Sequence, residues 1–95
     1  MPEMLFRIRW PDGEVESCCS PSLVVKDFFI PGETYPLADF LERSRTALTL
    51  ASQRVEAKYG WRCSRAAAQL ARIETTAEPF SDDLGARVTV DAFEE

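Results

Sequence analysis

Hydrophobic and polar residues alternate from Met4 to Trp10, with Met4, Phe6, Ile8 and Trp10 on one side and Leu5, Arg7 and Arg9 on the other. A period of two sets one face on a core and the other in solvent, which predicts a half-buried strand. Pro11-Asp12-Gly13 predicts a turn, because proline fixes φ and glycine permits a positive one. A second strand from Glu14 to Cys19 completes a hairpin. With a loop of two or four residues, Glu14 and Glu16 share a face with Arg7 and Arg9; a three-residue loop would set Val15 against the arginines instead. The even loops are preferred, and both versions remain open.

Ser20-Pro21 reads as a helix entry, a serine cap followed by proline at the first helical position. The run Leu23 to Phe29 places its polar pair Lys26-Asp27 between apolar pairs, a helix-like spacing that the β-branched Val24 and Val25 oppose. One short helix is predicted there, ended by Pro31-Gly32. From Pro36 the apolar positions Leu37, Phe40, Leu41, Leu48, Ala51, Val55 and Tyr59 recur at helical spacing. Asp39 near the start and Lys58 near the end suit the helix dipole, Asp39 and Arg43 form an i,i+4 pair, and Gly60 is a left-handed stop on which Trp61 folds back against Val55. At ~1.5 Å per residue this helix is about 36 Å long. That exceeds what a small core needs, so part of its face is expected to meet a partner subunit.

Ser64 is a cap for a further helix, in which Ala66, Leu70, Ile73 and Ala77 make a stripe before Pro79 stops it. The short connection predicts an antiparallel helix hairpin. Residues 81–85 read as loop, and Ala86 to Phe93 alternates again, with Val88, Val90 and Ala92 on one face. The expected fold is α+β in the order β-β-α-α-α-β over one domain, 1–95. A three-stranded antiparallel sheet, made of the N-terminal hairpin and the C-terminal strand, carries a short helix and a long antiparallel helix pair on one face.

Composition narrows the function classes. The net charge of -5 disfavours a nucleic-acid or anionic-membrane surface, although every cation except Lys26 and Lys58 is arginine, which suits local carboxylate contacts. Neither a signal peptide nor a membrane span is legible, so a cytoplasmic protein is expected. The 3 cysteines, two of them adjacent, form no disulfide framework and fit free thiols in a reducing compartment. With no histidine in the chain, Ser-His and Cys-His nucleophile systems and imidazole metal sites are excluded.

Few residues remain as candidates for chemistry. Cys63 precedes a helix N-terminus beside Arg62 and Arg65, where amide dipoles and cations would favour a thiolate. The plainer assignment, a small apolar plug at the helix junction, is preferred. Cys18 and Cys19 point to opposite faces of a strand and cannot chelate one ion, so no metal and no cofactor are expected. Arg7 and Arg9 are candidate ligand-binding residues, with a solvated ion-pair ladder as the plainer reading. Arg43, Arg45, Arg54 and Arg62 are read as solvated. Trp61, Phe28 and Phe29 are candidate interface residues that otherwise belong to the core.

The stretches FRIRWPDG, CCSPSLVVKDFF, IPGETYPLADFLERSRTAL, ASQRVEAKYGWRCSRAAAQLARIE and RVTVDAFEE cover nearly the whole chain. Through them it resembles a small bacterial family of nitrogen starvation response proteins whose genes lie in nitrilase-containing clusters for nitrogen scavenging. The resemblance implies a cytoplasmic accessory protein working beside a nitrilase, an acyltransferase and other cluster enzymes, and it carries no catalytic residue or ligand. The expected function is therefore a non-enzymatic interaction protein, a homodimer or a partner of those enzymes. A small-molecule binder or minor enzyme using Cys63 or the Arg7/Arg9 face is the alternative.

Overall fold

The computed structural model describes residues 4–20, 23–60 and 64–94. Its elements are β1 (Met4–Arg9), β2 (Val15–Ser20), β3 (Thr34–Pro36), α1 (Leu37–Tyr59), α2 (Ser64–Ala77) and β4 (Arg87–Glu94), with 3-10 turns at Leu23–Asp27 and Glu78–Phe80. The strands form one antiparallel sheet in the order β2-β1-β4-β3. The α+β class stands, but the sheet has four strands rather than three, and two α-helices pack on it rather than three.

Both differences have local causes. The stretch predicted as a short helix closes after one 3-10 turn, with Val24 and Val25 buried, and Ser20 belongs to β2 rather than to a helix cap. The additional strand is only three residues long, buries a single side chain, Tyr35, and ends in proline, so no alternation announces it. Its ladder explains the proline. Leu37 N–H donates to Ala86 O at 3.0 Å and Tyr35 pairs with Val88, so Pro36 sits at a position whose backbone faces the free edge, where a missing N–H breaks no bond.

The hairpin adopts the register that the charge argument disfavoured. Trp10 N–H donates to Glu14 O at 2.8 Å and Gly13 N–H to Trp10 O at 2.9 Å, around a three-residue loop whose Gly13 has φ 90°. Arg9 therefore faces Val15, Arg7 faces Ser17, and Glu16 falls opposite Ile8 on the core side. The carboxylate is accommodated there because Trp10 Nε1 donates to it at 3.1 Å. On the other flank of β1 the register slips between Arg7 and Ile8, and Asp91 is the additional residue of a β-bulge. Val88 and Val90 face the core as predicted, but beyond the bulge Phe93 takes the core side and Ala92 moves to the open face beside Arg7.

The core fills the space between sheet and helices. Phe29 lies 6.0 Å from Phe6, 5.4 Å from Phe40 and 5.5 Å from Tyr35, and Trp10 reaches Phe40 and Phe80 at 5.8 and 6.4 Å between ring centroids. α1 buries Leu37, Phe40, Ala47, Leu48, Ala51 and Val55, and also Ser44, which the apolar pattern passes over. Arg43 is partly solvated, with 40% of its side chain exposed, but it also holds specific partners. Its guanidinium binds Asp39 at 3.0 Å and Phe28 O at 2.8 Å and lies 4.9 Å from the Tyr35 ring, tying α1 to the 3-10 segment.

α1 ends as predicted at Gly60, whose φ is 81° and whose N–H donates to Glu56 O at 2.8 Å. An added Cβ would meet nothing within 4 Å, so replacement costs only backbone strain. Gly60→Ala is expected to lose about 1–2 kcal/mol in a urea titration, and an unchanged midpoint would refute the strain argument.

Candidate functional site

Arg7 and Arg9 project from β1 onto the face of the sheet away from the helices. Arg7 lies 3.7 Å from Glu94 and Arg9 lies 3.3 Å from Asp91, so the β4 carboxylates take the place assigned to Glu14 and Glu16. The bulge at Asp91 brings that carboxylate to Arg9. Both pairs are largely solvated and stabilise the fold by at most about 1 kcal/mol each.

Phe29, at 1% exposure, is part of the aromatic core, and Phe28 packs against the core from a half-buried position. Trp61 and Cys63 lie outside the described residues.

The adjacent cysteines separate as their strand alternation requires. Cys18 is a buried free thiol on the core side, and Cys19 is half-buried on the other. Burial drives the Cys18 thiol far above its ordinary value, with the Glu16 carboxylate adding to the effect. A folded-state pKa raised in this way gives stability that is complete below the unfolded value of ~8.5 and is lost as pH rises towards the folded one, because the unfolded chain deprotonates first. Stability measured by urea titration should therefore fall above pH ~8.5. Cys18→Ala should show a shallower fall, and parallel curves would assign the alkaline loss to other groups.

α2 runs along the outer edge of β2. Gln69 Oε1 accepts the Cys19 backbone N–H at 2.9 Å, and Arg65 Nη2 approaches Cys19 Sγ at 3.4 Å. Gln69 thus satisfies one outward amide of an edge strand. Its own Nε2 is buried without a hydrogen-bond partner, as is Glu16 Oε2, which lies 3.8 Å from Arg72. The sequence signal for Gln69 was a polar residue beside the apolar stripe Ala66, Leu70, Ile73.

The remaining surface of interest is the seam between α1 and α2 on the side away from the sheet. Arg45 Nε donates to Glu74 Oε1 at 3.3 Å across this seam, a half-exposed pair that the antiparallel packing of the two helices brings together. Two open depressions flank the ion pair. One, of about 360 Å³, is bordered by Leu48, Thr49, Gln53, Ala67 and Leu70; the other, of about 460 Å³, by Leu41, Ala71, Thr75 and Glu78. Small α2 residues create them, since alanine leaves the groove between two helix backbones unfilled. Their walls offer apolar contact and hydroxyl or amide groups together with the charges of Glu56 in the first and of Arg45, Glu74 and Glu78 in the second.

Among the described residues no group of three His, Cys, Asp or Glu side chains could hold a metal ion, and no helix is long and apolar enough to cross a membrane. No curated protein and no solved structure matches the chain. A family model does match, over residues 5–93, from the second residue of β1 to the penultimate residue of β4. Because that match spans every element of the fold, the chain belongs to the family of the nitrogen starvation-induced protein NitG.

Proposed function

We propose that this member of the nitrogen starvation-induced family is a non-enzymatic cytoplasmic accessory protein that works by contact with other proteins, through the outer surface of the α1–α2 pair. The supporting observation is the character of that surface. In a chain with 28% charged residues, Thr46, Thr49, Leu50, Ala67, Ala71 and Thr75 lie exposed around a central ion pair, with Glu56 and Glu78 at the two ends of the grooves. A helix face kept for solvent carries charge throughout; a grooved one whose centre is mostly small and neutral suits a protein surface. The partners proposed are a second copy of the chain and enzymes of the nitrilase-containing cluster that the family resemblance implies.

Purified protein is expected to bind at least one of the nitrilase and acyltransferase of that cluster in an interferometry assay. Ala71→Arg, on the exposed groove wall, should abolish the signal, and Arg7→Ala should leave it intact. No binding to any of these enzymes, together with a melting temperature raised by nitriles, amides or nucleotides, would transfer the function to small-molecule binding.

A further inference from the structure

The Arg45–Glu74 pair makes the centre of the outer groove electrostatically its own complement. α1 and α2 lie side by side and antiparallel, with Arg45 and Glu74 at the same height along the pair. Both side chains are about half exposed, so their charges are presented on the surface.

For a copy of the same surface laid face to face, a two-fold axis parallel to the helices keeps every residue at its height and exchanges the two helices laterally. α1 of one copy then lies over α2 of the other. Arg45 of each copy falls over Glu74 of the other, and the two ion pairs become a square of alternating charge. Counting four residues along each helix from that level, Thr49 comes over Leu70 of the second copy and Gln53 over Ala66, with Ala71 and Ala67 next to them. The larger α1 side chains thus meet the depressions that the α2 alanines leave open. At the opposite end Glu42 approaches Glu78, so the contact centres on the half of the seam running from Arg45 to Gln53.

We propose that a second copy of this chain docks on the α1–α2 groove in this two-fold arrangement, with each Arg45 paired to the other copy's Glu74. An interface of this kind is isologous, which requires a patch to complement itself, and the charge square meets that requirement. The proposal rests on the reading of this surface as a protein contact, and it names the partner. The second copy is the occupant of the groove in the isolated protein, and a cluster enzyme docking on the same face displaces it.

Sedimentation equilibrium of the intact protein should give twice the 10.7 kDa chain mass, with dissociation favoured by high salt because the central contacts are partly solvated ion pairs. Arg45→Glu makes all four central charges negative and Glu74→Arg makes them all positive, so each variant alone should be monomeric while keeping the wild-type circular dichroism spectrum. An equimolar mixture of the two should recover the dimer mass. In that mixture the pair within each chain stays broken, and only charges meeting across the interface are restored. Val15→Glu, on the open sheet face, should leave the dimer intact. A wild-type chain that stays monomeric, a dimer that survives Arg45→Glu, or a mixture that remains monomeric would each overturn the arrangement. A monomer that still binds a cluster enzyme would overturn the self-assembly alone and leave the accessory function standing.

Discussion

Replacing Phe29 by alanine is expected to destabilise the fold by about 3–5 kcal/mol, the range for removing a buried aromatic ring from a packed core. The ring touches three structural units at once, Phe6 on β1, Phe40 on α1 and Tyr35 on β3, while its backbone N–H donates to Val25 O of the 3-10 turn at 3.2 Å. Those neighbours belong to elements that cannot close independently around the void, so most of the cavity should persist. Because a domain of this size is stable by only about 5–15 kcal/mol, the variant should unfold at a much lower urea concentration, and part of it should be unfolded at physiological temperature. The same experiment separates packing from contact. An interface residue would change self-association while sparing the monomer's stability, whereas Phe29→Ala should shift the urea midpoint of the isolated chain. A midpoint within error of wild type would remove Phe29 from the core.

The second large effect is expected at Trp10, and it is polar in origin. Trp10→Phe keeps an aromatic ring between Phe40 and Phe80 but removes the N–H that Glu16 accepts at 3.1 Å. Glu16 is only 18% exposed at its side chain, and its nearest remaining cation, Arg72, is 3.8 Å away. A carboxylate deprived of its donor in such a place loses about 1.5–3 kcal/mol, beyond the smaller loss of ring area. A double-mutant cycle isolates this contribution. In a Glu16→Leu background, where no carboxylate remains to be orphaned, Trp10→Phe should cost clearly less. Equal costs in the two backgrounds would show that the hydrogen bond contributes nothing and that the indole acts by volume alone.

Glu16 also shows where sequence reasoning reached its limit. Strand alternation located β1 and β4, and helical spacing located α1 and α2 with the stop at Gly60, because each of these elements repeats its pattern over several turns or pleats; β2 followed from the turn at Pro11-Asp12-Gly13, and its two faces are the reverse of those expected. The hairpin register did not follow from charge pairing. Gly13 in the left-handed region fixes a three-residue loop, and a solvated ion pair is too weak to compete with a loop conformation and a buried cross-strand set. β3 left no pattern because a three-residue edge strand has only one inward side chain. The bulge at Asp91 leaves none either, since one additional residue reverses the alternation without altering composition.

The candidate surface was legible in part. The length of α1 pointed to contact beyond the core, and the alanines of α2 to close approach. The central ion pair was hidden in four arginines read together as solvated, of which Arg43 and Arg45 hold specific partners. Residues separated by 29 positions pair only once the helix hairpin has set their heights. The role of Gln69 required the same knowledge, since nothing in its own neighbourhood tells that an edge amide of β2 lies opposite.

The sheet places β1 and β4 side by side at its centre, so its main seam joins residues from 80 to 89 positions apart. Such a seam has consequences for the order of assembly. During synthesis β1 and β2 emerge early but form only a two-stranded hairpin, which is marginal in water by itself. Local helical structure in α1 and α2 can arise while the chain is still growing, yet the sheet on which it packs is incomplete until β4 has left the ribosome. Closing so long a loop makes the pairing of β4 a slow, late step compared with helix formation. Until then the apolar faces of Met4, Phe6, Ile8 and Trp10 and of both helices are uncovered, and the growing chain is most open to aggregation just before β4 is made.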